Sequence, residues 1–169
     1  MGYTTDTEMS QFIPPAAIAR SAGTWTDGIT GNVPNVSRAA GAAAFNLFIP
    51  ILIPSNASLY KGSRLKSIDF FYTVGVAALN SVTTVELEVL TLPVNPVAPS
   101  GFAAITTVDL NHDTTAKRVT VASHTLTVSL ATPVFITAGN AYVLYLTFDA
   151  ALTSTFVLQG ARANYDLRI

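Results

Sequence analysis

Two histidines, His112 and His124, are the whole imidazole supply of a 169-residue chain that contains no cysteine. A zinc centre would therefore draw its remaining ligands from carboxylates. Neither His-x-His nor His-x-x-x-His spacing occurs to set two ring nitrogens on one face, which argues against metal catalysis. His124 stands at the start of an alternating stretch, Leu126 to Leu130, at a position whose parity matches the leucines, so it is expected as a strand-end residue with a satisfied polar tip. Asp109, Asn111 and Asp113 have the spacing of the first three oxygen ligands of a calcium loop. The glycine and glutamate that such a loop needs further on are replaced by Thr114 and Thr120. The expectation is a solvated Asx-rich turn, with a looser calcium site as its alternative.

Other chemistry finds less support. No Gly-x-Ser-x-Gly elbow is present, and Ser100-Gly101 stands alone in a proline-rich stretch. Glu86 and Glu88 invite comparison with the paired carboxylates of glycosidases, but their spacing puts both on the wet side of one strand. Asn35-Val36-Ser37 and Asn56-Ala57-Ser58 match the glycosylation acceptor triplet, a pattern that arises by chance in Ser- and Asn-rich chains. Without cysteine there is no disulfide framework and no thiol nucleophile. No catalytic residue and no cofactor is assigned.

Composition narrows the partners. Charged residues make up 11% of the chain and apolar ones 50%, with a formal net charge of −1. There is no basic stripe to release counterions from a phosphate backbone, so nucleic acid is not an expected partner. Thr, Ser and Asn supply much of the polarity. Neutral surfaces of this kind have little charge to desolvate when subunits meet, which suits a homo-oligomer; a monomer with a Thr-rich surface is the alternative. The polar, acidic opening MGYTTDTEMS lacks the basic and apolar regions of a secretory signal, so either that route is not used or processing precedes this numbering. Asp6 stands where a myristoylation signal needs Ser or Thr. The most apolar run, Phe45 to Pro54, is too short to cross a bilayer and is broken by Pro50, so no membrane association is expected.

Period-two patterning dominates the rest. Phe45 to Ile53 reads as a buried strand. Ile68, Phe70 and Tyr72 alternate with polar residues, Phe71 being the exception. Val85, Leu87 and Val89 face inward opposite Glu86 and Glu88, and Leu126, Val128 and Leu130 alternate with Thr and Ser. Short strands are expected at Ile105 to Leu110 and Arg118 to Val121, with Asn111 to Ala116 a polar turn between them. Pro93, Pro96, Pro99 and Gly101 mark a loop. Ala138-Gly139-Asn140 forms a turn of the kind that feeds a hairpin, and Ala141 to Phe148 follows as an apolar strand. Ala161, Ala163, Tyr165, Leu167 and Ile169 share one face of the last strand. No apolar period near 3.6 persists, so no long helix is expected. The fold class is all-β, an antiparallel two-sheet jelly-roll sandwich of about eight strands, with an immunoglobulin-like sandwich as runner-up.

Residues 1–40 are rich in Gly, Pro, Thr and Ala and break every period, so they are expected as an extended N-terminal arm ahead of a jelly-roll domain at residues 41–169. Phe12, Ile13 and Trp25 are isolated large apolar groups within the arm. They are candidate partner contacts on a neighbouring subunit; folding back on their own domain is the alternative.

The segments FIPILIP, KGSRLKSIDFFYTV, VTTVELEVL, GNAYVLYLTF and GARANYDLRI, in this order, resemble jelly-roll domains of phage and other virion-associated structural proteins, capsid decoration and tail-fibre or receptor-binding modules among them. The resemblance spans residues 45–169 and carries no family site residues. It implies a structural or adhesive role, usually in trimers. The expectation is a virion protein of the capsid-decoration type that contacts its own copies and a major capsid or other virion protein. A carbohydrate-binding or receptor-binding adhesive module is the alternative, with Trp25, Tyr60, Tyr72, Tyr142 and Tyr145 available to stack on sugars, although core burial explains most of these rings as well.

Overall fold

Sustained alternation becomes long strands. In the computed structural model, which describes residues 6–55, 61–91, 100–102, 105–107 and 109–168, the strands are β1 (Asp6–Ile13), β2 (Ala19–Arg20), β3 (Trp25–Thr30), β4 (Val33–Arg38), β5 (Ala43–Pro50), β6 (Gly62–Gly75), β7 (Ser81–Thr91), β8 (Ser100–Phe102), β9 (Ile105–Thr107), β10 (Ala122–Phe135), β11 (Asn140–Ala150) and β12 (Thr155–Arg168). One short helix, α1 (Thr115–Arg118), precedes β10. Sheet A runs β3-β4-β12-β6-β10-β9, with β1 also paired to β12, and sheet B runs β2-β5-β11-β7-β8. Every pairing is antiparallel.

The strand order is that of a jelly roll. The pairs β4·β12, β5·β11, β6·β10 and β7·β8 nest inside one another along the chain, as in one long antiparallel ribbon. Rolling that ribbon sends alternate pairs to alternate layers, which gives β4-β12-β6-β10 in one sheet and β5-β11-β7-β8 in the other. β11, flanked on both sides, is the long strand in which the alternation is cleanest.

The two inner faces meet on an aromatic core. Phe45 stacks on Phe148 at 5.4 Å, Phe156 meets Phe45 edge-on at 5.1 Å, and Tyr72 stacks on Phe156 at 5.3 Å. Each such pair is worth roughly 0.5–1.5 kcal/mol beyond simple burial. Leu87, Leu126 and Val128, on the parity expected of them, complete the layer with Leu144 and Leu158. Phe71, the exception in its strand, points outward. Arg38 closes one end of the core: its guanidinium lies 4.8 Å from the Phe45 ring and donates to the Gly41 carbonyl at 3.1 Å. Burial holds its pKa below the ordinary value for arginine.

Four expectations give way. The first concerns the arm. Described residues before Ala40 are not a separate segment: β1 pairs with β12 from Asp6↔Arg168 to Ile13↔Ala161, β2 extends sheet B, and β3 and β4 form a hairpin on β12. Its turn, Gly31-Asn32, has both φ values positive (57° and 67°), the geometry that matches strand twist. β1 and β3 are edge strands exposed over most of their length, so neither carries apolar alternation; Pro14, Pro15, Gly23 and Gly31 sit at turns or at the crossing between sheets, while Gly28 and Pro34 lie within β3 and β4. Secondly, 118–121 is not a strand, since Thr115–Arg118 coils into α1. Thirdly, Ser100-Gly101 belongs to β8, which is too short for a period to show. Fourthly, the turn at Gly139 joins β10 in sheet A to β11 in sheet B and so makes no hairpin. The loop expected around Pro93, Pro96 and Pro99, together with Asn56-Ala57-Ser58, Tyr60 and Ile169, lies outside the described residues.

Candidate functional site

Because the sandwich buries its alternating faces, chemistry is left to the outer sheet faces and to the excursion between β9 and β10. The calcium candidates lie on that excursion, and their oxygens are drawn apart. Asp109 turns back on its own chain, accepting from the Asn111 amide at 2.9 Å and from His112 Nδ1 at 2.6 Å. Asp113 instead accepts from Lys117 Nζ at 2.7 Å, one helical turn further on. The hydrogen bond from His112 holds the Asp109 carboxyl below its usual range, and the one from Lys117 does the same for Asp113. Among the described residues no group of three or more His, Cys, Asp or Glu side chains converges to hold a metal ion. Asp109 and Asp113 are thus engaged within the Asx-rich turn, one by Asn111 and His112 and the other by Lys117.

His124 has the satisfied polar tip expected of it, through a contact that sequence spacing does not suggest. His112 Nε2 lies 2.9 Å from His124 Nδ1, and His124 Nε2 lies 2.8 Å from the Thr120 carbonyl oxygen. Both rings are buried, at 7% and 6% exposure. His124 also stacks on Tyr72, with centroids 4.7 Å apart.

The outer face of sheet A divides into a charged half and an apolar half. Asp69, on β6, accepts from Arg162 Nη2 at 2.7 Å, Asn164 Nδ2 at 3.0 Å and Thr127 Oγ1 at 2.8 Å. Beyond it Asp166 accepts from Arg64 at 2.7 Å, while Arg168 binds Asp6 and Lys66 binds Glu8, which ties β1 to the sheet. The apolar half lies where β1 and β4 diverge along β12. There a groove of about 540 Å³ is lined by Phe12, Val33, Phe71 and Val157, with Thr73 and Gln159 at its polar side. Phe12 is 57% exposed and Val33 53%.

The three arm residues thus separate. Ile13 is a core residue at 1% exposure, because the strand register sends it inward opposite Ala161. Trp25 is half-buried, edge-on to Phe45 at 5.5 Å, and its Nε1 donates to the Ala22 carbonyl at 2.8 Å. Of the three, Phe12 is the one left on the surface. Sheet B presents a different outer face. Phe48 and Tyr145 stack at 4.9 Å, and the register sets Tyr145 opposite Glu86 and Val143 opposite Glu88. Burial, then the neighbouring Glu86, pushes the Glu88 carboxyl up. Tyr72 and Tyr142 are core residues. The buried Asn35 amide donates to Thr30 Oγ1 at 2.9 Å, which leaves it unsuited to glycosylation. Among the described residues no helix is long and apolar enough to cross a membrane.

No protein-family model matches the chain, and no curated protein does. Among solved structures it is similar to a family 11 carbohydrate-binding module from Clostridium thermocellum, determined in complex with a β-1,3-1,4-mixed-linked tetrasaccharide. Identity is 12% and the TM-score 0.34, over 96% of this chain and 89% of that one. That likeness transfers neither residue nor ligand.

Proposed function

We propose that this chain is a non-catalytic structural module of a virion, of the capsid-decoration type, which assembles with its own copies as a homotrimer and lies on a major capsid or other virion protein. The observation that carries the reading is the groove beside β1. Phe12 and Val33 stand more than half exposed around it, on a chain with only 11% charged residues. Covering apolar surface is worth roughly 25 cal/mol for each Å² removed from water, so a neighbouring copy seated there gains stability with little charge to strip. Light scattering at micromolar concentration is expected to return three chain masses. Phe12→Asp, at a side chain more than half exposed, is expected to return one. A wild-type monomer at the same concentration, or a trimer unmoved by the substitution, overturns the reading.

A second reading, a carbohydrate-binding or receptor-binding adhesive module, has one specific observation in its favour. The Phe48–Tyr145 stack stands beside Glu86 on an uncovered sheet, apolar ring next to hydroxyl acceptor, which is the chemistry a neutral sugar needs. Titration with soluble oligosaccharides, followed by Tyr145 ring resonances, is its test. Saturable shifts that vanish in Glu86→Ala, which keeps both rings, support it, and unmoved resonances at millimolar ligand remove it.

A further inference from the structure

We propose that the buried pair His112–His124 is a proton-counting latch that clips the excursion before β10 to the sandwich and lets it go on acidification. The partners dictate where the ring protons sit. His124 Nε2 faces a carbonyl oxygen at 2.8 Å, so that nitrogen carries a proton. Its Nδ1 is then a lone pair, and His112 Nε2, 2.9 Å away, must be the donor. His112 Nδ1 faces the Asp109 carboxylate at 2.6 Å and must donate too. All three hydrogen bonds form together only when the two rings and the Asp109 carboxyl share three protons.

A fourth proton has a single place to go, His124 Nδ1. There it meets the N–H of His112 head-on and sets a positive charge in a buried site. The rings must then separate. His124 is fixed by the β10 ladder, where it pairs with Tyr72, and by its stack on that ring. The part free to move is the turn that carries His112. The other ionisable groups around the pair are already engaged. Arg118 Nε donates to the His112 carbonyl at 2.8 Å, the Tyr72 hydroxyl donates to the Arg118 carbonyl at 2.6 Å, and Lys117 bridges Asp113 and the Leu110 carbonyl. Burial pushes the Tyr72 hydroxyl up, so it stays protonated throughout.

The direction of the pH effect follows from His124. Burial, joined by the charge on His112 and opposed by the bond to the Thr120 carbonyl, holds it below the ordinary histidine value. The unfolded chain therefore takes up its proton first, near pH 6.5. The contribution to stability is complete above that pH and is lost as pH falls through the lower folded value.

Two amides report on the latch: His112, bonded to the Asp109 carbonyl, and Leu79, bonded to the Val119 carbonyl across the excursion. Between pH 7.5 and 5, hydrogen-exchange protection at both, corrected for intrinsic rates, is expected to fall by about tenfold, one hydrogen-bond equivalent, while that of Leu144 in β11 holds. In His124→Phe, which keeps a ring against Tyr72, protection at the two amides is expected to be low and flat with pH. Imidazole nitrogen spectra of the unmodified protein give a variant-free check, in which His124 Nδ1 gains its proton as protection is lost. Flat protection in the wild type, or an unchanged pH dependence in His124→Phe, overturns the proposal. Neither readout depends on the trimer or on a sugar.

Discussion

Gly160→Ala is expected to destabilise the fold by about 2–4 kcal/mol, from strain and overpacking acting together. Gly160 sits at a register shift of β12, after the strand leaves β4 and before it takes up β1, with φ at +123°. That conformation is essentially reserved for glycine. Space is lacking as well. A Cβ there would lie 2.7 Å from the Ile13 carbonyl oxygen, a backbone atom that cannot swing aside, and 2.8 Å from Phe12 Cζ. Relief requires β1 to lift from the sheet, so the variant should also expose residues 6–13 to protease and lose any assembly made through Phe12. Gly41→Ala is the control, since no atom outside its immediate chain neighbours lies within 4 Å of a Cβ at that position. Urea unfolding of the two variants checks the expectation, and equal midpoints for Gly160→Ala and wild type would refute it.

Asp69→Ala should cost roughly as much, about 2–4 kcal/mol, because removing one member of a buried ionic cluster leaves its partners unpaired. Asp69 is 7% exposed at its side chain, and Arg162 and Asn164 converge on a single one of its oxygens. Arg162 itself is 49% exposed and can turn to water, which places the loss toward the lower end for that partner. Thr127 and Asn164 are half-buried, and Asn164 keeps its bond to Ser67 Oγ at 3.1 Å. Burial works against the charge on Asp69, but hydrogen bonds from Asn164, Arg162 and Thr127 outweigh it and hold the carboxyl below its ordinary value. Its stabilisation is therefore present above about pH 4 and lost as pH falls through the lower folded value. Chemical unfolding of wild type and Asp69→Ala at pH 7 and at pH 3 should give a gap that narrows in acid. A gap of constant size would assign the loss to packing and not to charge. The Asp69 loss sets in below about pH 4 and that of His124 below about pH 6.5, so the two begin at different points of one titration.

The interior of the fold was legible from residue order, and its rim was not. β6, β7, β10, β11 and β12 each have one buried face, so polar and apolar residues alternate in them over many positions. β1 and β3 lie at the margin of sheet A, mostly exposed, with Ile13 and Trp25 the apolar exceptions at their ends, and nothing in such a strand obliges its residues to alternate. Their place is set by backbone pairing and by ion pairs such as Arg168–Asp6 at 2.7 Å, whose two members lie at opposite ends of the sequence. The histidine contact was half legible. Parity put His124 on the buried face, and a buried imidazole needs two partners. Asp109 and His112 could be found only after the chain had brought the Asx-rich turn back over the end of β10. Phe71 shows the opposite case. An apolar residue on the polar parity of its strand was a sign of an apolar patch on the outer face, and it lines the groove with Phe12.

Register also gives the sandwich a polarity. Asp6 pairs with Arg168, and Arg168 with Gly62, at the start of β6, whereas Tyr72 and the histidines belong to the far end of the same strand. A tether attached before residue 6 or after residue 168 would leave from the same corner. Mounted by either tether, the module would hold its acid-responsive pole outward, so a circular permutant joining residues 168 and 6 would move the anchor without disturbing the strand order.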